Sequence, residues 1–229
     1  MLVQRILLLT LIVIVVYVLY SYFSNPLKTK LTGVTDGTKE ITISSGKLAS
    51  GKNDNYTYSI WMYINDWDYR YGEQKIVFGK TDGSKKPSPS VVLDSTINDI
   101  LVKIAVGKGS TIVTTRIQNV PLQSWFNVIV SVNTRVVDLY LDGKLVRTQL
   151  LSDVPSTPTT SPIHLTPDGG FSGQTAKFEY LGYAVNPTEA YDIYRSGSGA
   201  GSMLGSLFNK YRLKIAFMED NTETGSLEI

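Results

Sequence analysis

Between residues 40 and 185 apolar and polar positions alternate in short runs, the two-residue period of strands with one buried face. In residues 56–64, Tyr56, Tyr58, Ile60, Met62 and Ile64 share one face, and Thr57, Ser59, Trp61 and Tyr63 the other. Further strands are predicted at 40–44, 74–80, 90–94, 100–106 and 111–117. Phe126, Val128, Val130 and Val132 then alternate with Asn127, Ile129, Ser131 and Asn133, a turn follows at 133–135, and Val137, Leu139 and Leu141 continue the pattern. Asp142-Gly143 predicts a type I′ hairpin, because both central residues of that turn need positive φ, with 144–151 as the returning strand. Residues 152–162 carry several prolines, which lack a ladder donor, and are predicted to be a loop. Late strands are expected at 163–165 and 177–185, and one helical turn at 187–194, where Pro187 suits the first helical position. Many short strands without a long amphipathic helix predict an antiparallel sandwich.

The ends follow other patterns. Residues 6–23 carry no charge and would span about 27 Å as a helix, close to the hydrocarbon thickness of a bilayer. Tyr17, Tyr20, Tyr22 and Phe23 gather where an aromatic belt would sit. A cleaved signal peptide is the rival, but no small-residue cleavage pattern follows: Tyr22 would stand third before a cut after Ser24. The expectation is therefore an uncleaved transmembrane anchor over 1–23, with Ile6, Leu11, Val16, Tyr20 and Phe23 in lipid, and a juxtamembrane linker over 24–39. Arg5 precedes the span while Lys28, Lys30 and Lys39 follow it, which favours the large part on the cytoplasmic side. The sequon at Asn55 falls in a predicted strand and is read as fortuitous. Beyond a Gly/Ser joint at 196–202, residues 211–218 alternate again, with Tyr211, Leu213, Ile215 and Phe217 on one side. That strand is expected to fold back onto its own sheet or, alternatively, to add to a neighbour's edge, and the acidic tail after it to be loose.

Composition narrows the function. The 229 residues include no cysteine, which excludes a disulfide scaffold, thiolate zinc and a cysteine nucleophile. A formal net charge of +2 argues against nucleic acid as a partner.

Residues 120–146 resemble the signature hairpin of laminin-G-like, concanavalin A-like domains, with Trp125, Tyr140, Asp142, Gly143 and Val146 in order and spacing. The segment YTYSIWM at 56–62 is similar to the family's early strand, and 178–194 to its closing strand and Pro-x-Glu helical turn. The resemblance covers residues 40–195 and implies an all-β jelly-roll sandwich of two antiparallel sheets, preceded here by the transmembrane helix. An anchor before such a domain and a jointed strand after it, over 196–229, also resemble the organisation of virion proteins of large double-stranded DNA viruses. That likeness implies a minor capsid component between an internal viral membrane and the shell, with lipid bilayer and capsid or other virion proteins as partners. The alternative it leaves is a surface lectin-like glycan-binding protein.

Catalysis is not expected. Glycoside hydrolysis needs two carboxylates flanking the bond, and the alternating Glu-x-Asp-x-Glu strand of the related hydrolases is absent. The single histidine, His164, has only Ser161 nearby in sequence and is read as an edge residue. The resemblance raises calcium, for which Asp66, Asp68, Asp94 and Asp99 are the candidate ligands, although Arg70 and Tyr71 break an EF-hand pattern and solvated turns are the plainer reading. No other cofactor is implied. Among the aromatic residues clustered at 56–71, Trp67, Tyr69 and Tyr71 follow the strand in a polar loop and are candidates for glycan or protein contact. Lys85 and Lys86, beside Lys80, form a small basic loop, and Tyr211, Leu213, Ile215 and Phe217 are the other candidate partner contacts.

Overall fold

In the computed structural model, the described residues are 10–18, 26–48, 55–81, 87–107, 111–156, 160–199, 214–219 and 222–228. A first helix, α1, covers 10–18. The strands are β1 (Lys28–Thr32), β2 (Thr35–Asp36), β3 (Ile41–Ile43), β4 (Tyr56–Asp66), β5 (Lys75–Thr81), β6 (Pro87–Leu93), β7 (Ile100–Val106) and β8 (Thr111–Ile117). They continue with β9 (Trp125–Asn133), β10 (Val136–Leu141), β11 (Lys144–Leu150), β12 (Ile163–Leu165), β13 (Ser172–Leu181), β14 (Lys214–Glu219) and β15 (Thr222–Glu228), and a helix α2 (Pro187–Arg195) lies between β13 and β14.

Two antiparallel sheets result. One runs β1-β13-β4-β9-β10-β11, with β2 also on β13, and the other runs β3-β12-β5-β6-β7-β8. The alternation read from sequence sets what lies between them. Tyr58, Ile60, Met62 and Ile64 of β4 and Phe126, Val128, Val130 and Val132 of β9 face Phe78, Val91, Leu93, Val102 and Ile104 of the other sheet in one core. Tyr58 packs on Phe78 at 5.3 Å and on Phe178 at 6.0 Å between ring centroids.

The outer face of the larger sheet is not left to solvent. Thr57 and Ser131 point outward there, and their hydroxyls hold the chain at Tyr183 and Val185. The sequence predicts one helical turn at this point, and α2 is nine residues long. Its length is supported at both ends. Asn186 and Glu189 form a reciprocal capping box, and the Lys177 ammonium donates to Ser196 O and Gly197 O at the C-terminus. Ala190 and Ile193 bury against Ile129, Tyr140 and Leu181, and Tyr194 stacks on Trp61 at 5.6 Å.

The late strand expected at 177–185 runs instead over Ser172–Leu181, and three further segments differ from expectation. The stretch read as a linker carries β1 and β2, which pair antiparallel with β13, β1 through a register shift between Lys30 and Thr32, and so cover an edge that would otherwise be open. The C-terminal strand β14 pairs with β15, the segment expected to be a loose acidic tail, rather than with either sheet of the sandwich. Of the predicted span, α1 is described and its apolar side chains are exposed. The remainder of the span lies outside the described residues, and among the described residues no helix is long and apolar enough to cross a membrane.

Candidate functional site

Strand registers define two ends of the sandwich. Leu27 O accepts from Gly182 N, and Lys28 pairs with Leu181, which pairs with Thr57, so the chain comes into the sheet at the end where β4 begins. The loops β4–β5, β6–β7, β8–β9 and β12–β13 all lie at the opposite end, where Asp66 pairs with Ser172 and Leu93 with Lys75. The eleven residues of β4 separate the two ends by about 35 Å.

The far loops are locked together. Lys75 is 1% exposed, and its ammonium donates to Trp67 O at 3.3 Å and Tyr69 O at 3.0 Å while sitting over the Trp67 ring. Burial, and then the neighbouring Arg70, hold its pKa below the usual lysine value. Arg70, at φ 52°, spans from Glu73 to Asp168 O, and Tyr69 Oη donates to Gly169 O at 3.0 Å. Gly72 N donates to Ser95 O, and Val120 N to Asn98 O, joining the β4–β5, β6–β7 and β8–β9 loops in sequence. Arg116 lies between Asp99 Oδ2 at 2.7 Å and Asp94 Oδ2 at 3.4 Å, and Asn119 N donates to the other Asp99 oxygen. From this lattice Tyr71, Ile97 and Leu122 project, at 60%, 46% and 42% exposure.

A second feature lies on the outer face of the smaller sheet. Gly79 pairs with both Ser90 and His164, and a Cβ there would come within 3.3 Å of Ser90 Oγ, so glycine leaves a floor without a side chain. The resulting open depression of about 390 Å³ is lined by Glu40, Ile76, Ser90, His164, Pro167 and Asp168, within the range of natural ligand clefts. Glu40 Oε1 meets His164 Nδ1 at 2.8 Å across it.

These positions redistribute the residues singled out from sequence. Trp67 belongs to the core, Tyr69 is half-buried, and Tyr71 is exposed. Asp66 and Asp68 share one exposed turn, in which Asp68 N donates to Asp66 Oδ1. Asp94 and Asp99 are drawn together by Arg116, and their oxygens face that cation rather than an open metal position. Among the described residues no group of three or more metal-donating side chains forms. Lys80 is 4% exposed at the end of β5, its partner Ile163 facing the core, so it stands apart from a solvated loop. Leu11 and Val16 are exposed on α1. Ile215 and Phe217 lie in β14, while Lys85, Lys86, Tyr211, Leu213, Ile6, Tyr20 and Phe23 lie outside the described residues. Sequence reading missed Lys75, Ile97 and Leu122. The signal for the latter two was a lone large apolar residue inside a turn of Asn, Asp, Ser and Gln.

Two antiparallel sheets with interlocked loops at one end define a lectin/glucanase-like sandwich domain. The chain belongs to the concanavalin A-like lectin/glucanases superfamily, whose laminin G-type profile matches residues 35–190. Comparison with curated proteins gives no match. Among solved structures, the receptor-binding domain of botulinum neurotoxin type G is similar at TM-score 0.52 and 14% identity, over 74% of this chain and 50% of that one. The serotype D binding domain is similar at 0.55 and 12%, over 74% and 51%. The binding domain of botulinum neurotoxin DC, solved in complex with rat synaptotagmin II, is similar at 0.55 and 13%, over 74% and 42%. The chain thus spans about half the length of these neighbours or less, and at such identities the likeness is one of fold.

Proposed function

We propose that this chain is a membrane-held recognition domain that acts by binding rather than catalysis, and that it serves as a minor capsid protein tying an internal viral membrane to the surrounding shell. The observation that carries the reading is the placement of Leu27 and Lys28. The predicted span ends at Phe23, and by Leu27 the backbone is already bonded to Gly182 of the sheet. The sandwich would therefore sit against the bilayer with almost no free chain between, as a spacer of fixed height requires. Its loop end would face the shell on the cytoplasmic side. The test is cross-linking mass spectrometry on intact native particles together with flotation of the full chain. Co-flotation with membrane and links to capsid subunits support the reading, and a chain that stays with the soluble fraction and gives no such links overturns it.

The depression lined by Glu40, Ser90, His164 and Asp168 favours a second reading, a lectin-like domain whose hydrogen-bonding side chains hold a glycan. Retention of the full chain on immobilised glycans, lost in Ser90→Phe, would establish it.

A further inference from the structure

The structure assigns a protein-docking surface to the loop end of the sandwich, centred on Tyr71, Ile97 and Leu122, for a partner surface with an apolar centre and a basic rim. The assignment rests on the tethering reading for its orientation only.

Three adjacent loops each expose one large apolar residue at the same end. Such residues on turns are usually unremarkable when single, but a cluster on connected loops marks a contact surface. These loops are also held in place before any partner arrives. Lys75 fixes the backbone of 67–69, Arg70 crosses to the β12–β13 loop, and Arg116 fixes the β6–β7 loop. Arg70, Asn119, Gln123 and Asp168 keep positive φ among them. A surface already ordered loses little conformational entropy on binding.

Charge selects the partner. Asp66, Asp68 and Asp168 are exposed around Tyr71, in addition to Glu73, which is paired with Arg70. The cations within the same loops are engaged: Arg70 with Glu73, Lys75 with backbone carbonyls, and Arg116 with Asp94 and Asp99. The rim is therefore acidic, which repels anionic lipid headgroups and nucleic acid and complements lysine and arginine. The surface also lies at the end opposite Lys28, away from the predicted span.

The test uses the full chain in its native particles or cells, with p-benzoylphenylalanine replacing Tyr71, Ile97 or Leu122, and Leu150 at the other end as control. The expected result is one and the same protein cross-linked from all three positions and not from 150, through peptides rich in lysine or arginine. Asp68→Lys combined with Asp168→Asn, which leaves the Asp66 turn and the Arg70–Glu73 pair in place, should lower the yield about tenfold or more at unchanged melting temperature. Equal labelling from position 150, silence at all three positions, or adducts only to carbohydrate or to a second copy of this chain would overturn the assignment. A chain that fails to float with membrane but still cross-links from the loop end would refute the tether and leave the docking surface standing. A chain that floats but is silent at the loop end would do the reverse.

Discussion

The ammonium of Lys75 stands 5.4 Å from the centroid of the Trp67 ring and 3.0 Å from the carbonyl oxygen of Tyr69, so one buried cation holds both the core side and the backbone of the β4–β5 loop. Lys75→Met keeps the stem and removes the donor. Carbonyls that lose a charged donor should cost about 2–4 kcal/mol, which lowers the melting temperature by roughly 5–15 °C. Tryptophan emission should shift to the red as the Trp67 ring meets water. Unchanged melting with unchanged emission would mean that the cost of burying the cation cancels its contacts.

Burial also lowers the pKa of Lys80 and Lys177, as it does for Lys75, and raises those of Tyr58, Tyr140 and Tyr180. The two groups act in opposite directions. In the window between the lowered lysine values and the ordinary value of 10.5, the unfolded chain holds more protons, so stability rises with pH. Above about pH 10 unfolded tyrosines ionise while the buried ones do not, so stability falls. Urea denaturation from pH 7 to pH 11 should therefore give a maximum on the alkaline side. A monotonic decline from neutrality would contradict the lysine assignments.

The sandwich was legible because its signals are local. The alternation of Tyr58, Ile60, Met62 and Ile64 is a property of consecutive residues, and Asp142 and Gly143 take the positive φ values, 50° and 72°, that the turn demands. What escaped was set by distant partners. Nothing near Lys28–Thr32 announces that β13 offers it an edge, and nothing near Lys75 announces that three loop carbonyls converge on it. Trp67 looked like a surface aromatic because its neighbours Asp66 and Asp68 are polar, yet its ring turns into the core. Tyr71, four residues on, stays outside. The C-terminal pairing was hidden for another reason: Thr222–Glu228 has little apolar content, and only its partner β14 makes it a strand.

Gly143 also positions α2. A Cβ there would lie 2.9 Å from Tyr191 Cα and 3.0 Å from Tyr194 Cβ, in a left-handed backbone that alanine disfavours. Gly143→Ala should cost at least about 2 kcal/mol, or roughly 4–8 °C in melting temperature. It should also weaken the near-ultraviolet dichroism of the Trp61–Tyr194 stack. A destabilised variant whose aromatic dichroism is intact would show that the hairpin shifts while the helix holds.

The Asp94–Arg116–Asp99 arrangement makes calcium testable. Because the guanidinium already occupies the space between the two carboxylates and offsets one of their two charges, calcium at about 5 mM, above the range of weak natural sites, should leave melting unchanged. Arg116→Leu should lower stability by about 2 kcal/mol, since Asp99 is buried, and calcium should then restore part of it. A calcium-dependent rise in the unaltered protein would mean that the metal displaces Arg116 and would return both aspartates to the list of ligands.

The predicted membrane span can be separated from the sandwich, because the apolar side chains of α1 are exposed and none belongs to its core. Val13 and Val16 lie on α1 at 66% and 59% exposure. Lysine at the centre of a spanning helix costs about 2.5–3.5 kcal/mol on the insertion scale. Val13→Lys with Val16→Lys should therefore release the full chain from membranes in flotation and alkaline extraction. The melting transition of the sandwich should stay where it was, since Lys28 onward keeps its pairing with β13. Retention of the double variant on membranes would assign the attachment to another part of the chain. Loss of the sandwich's own transition would mean that 10–18 supports the fold instead of anchoring it.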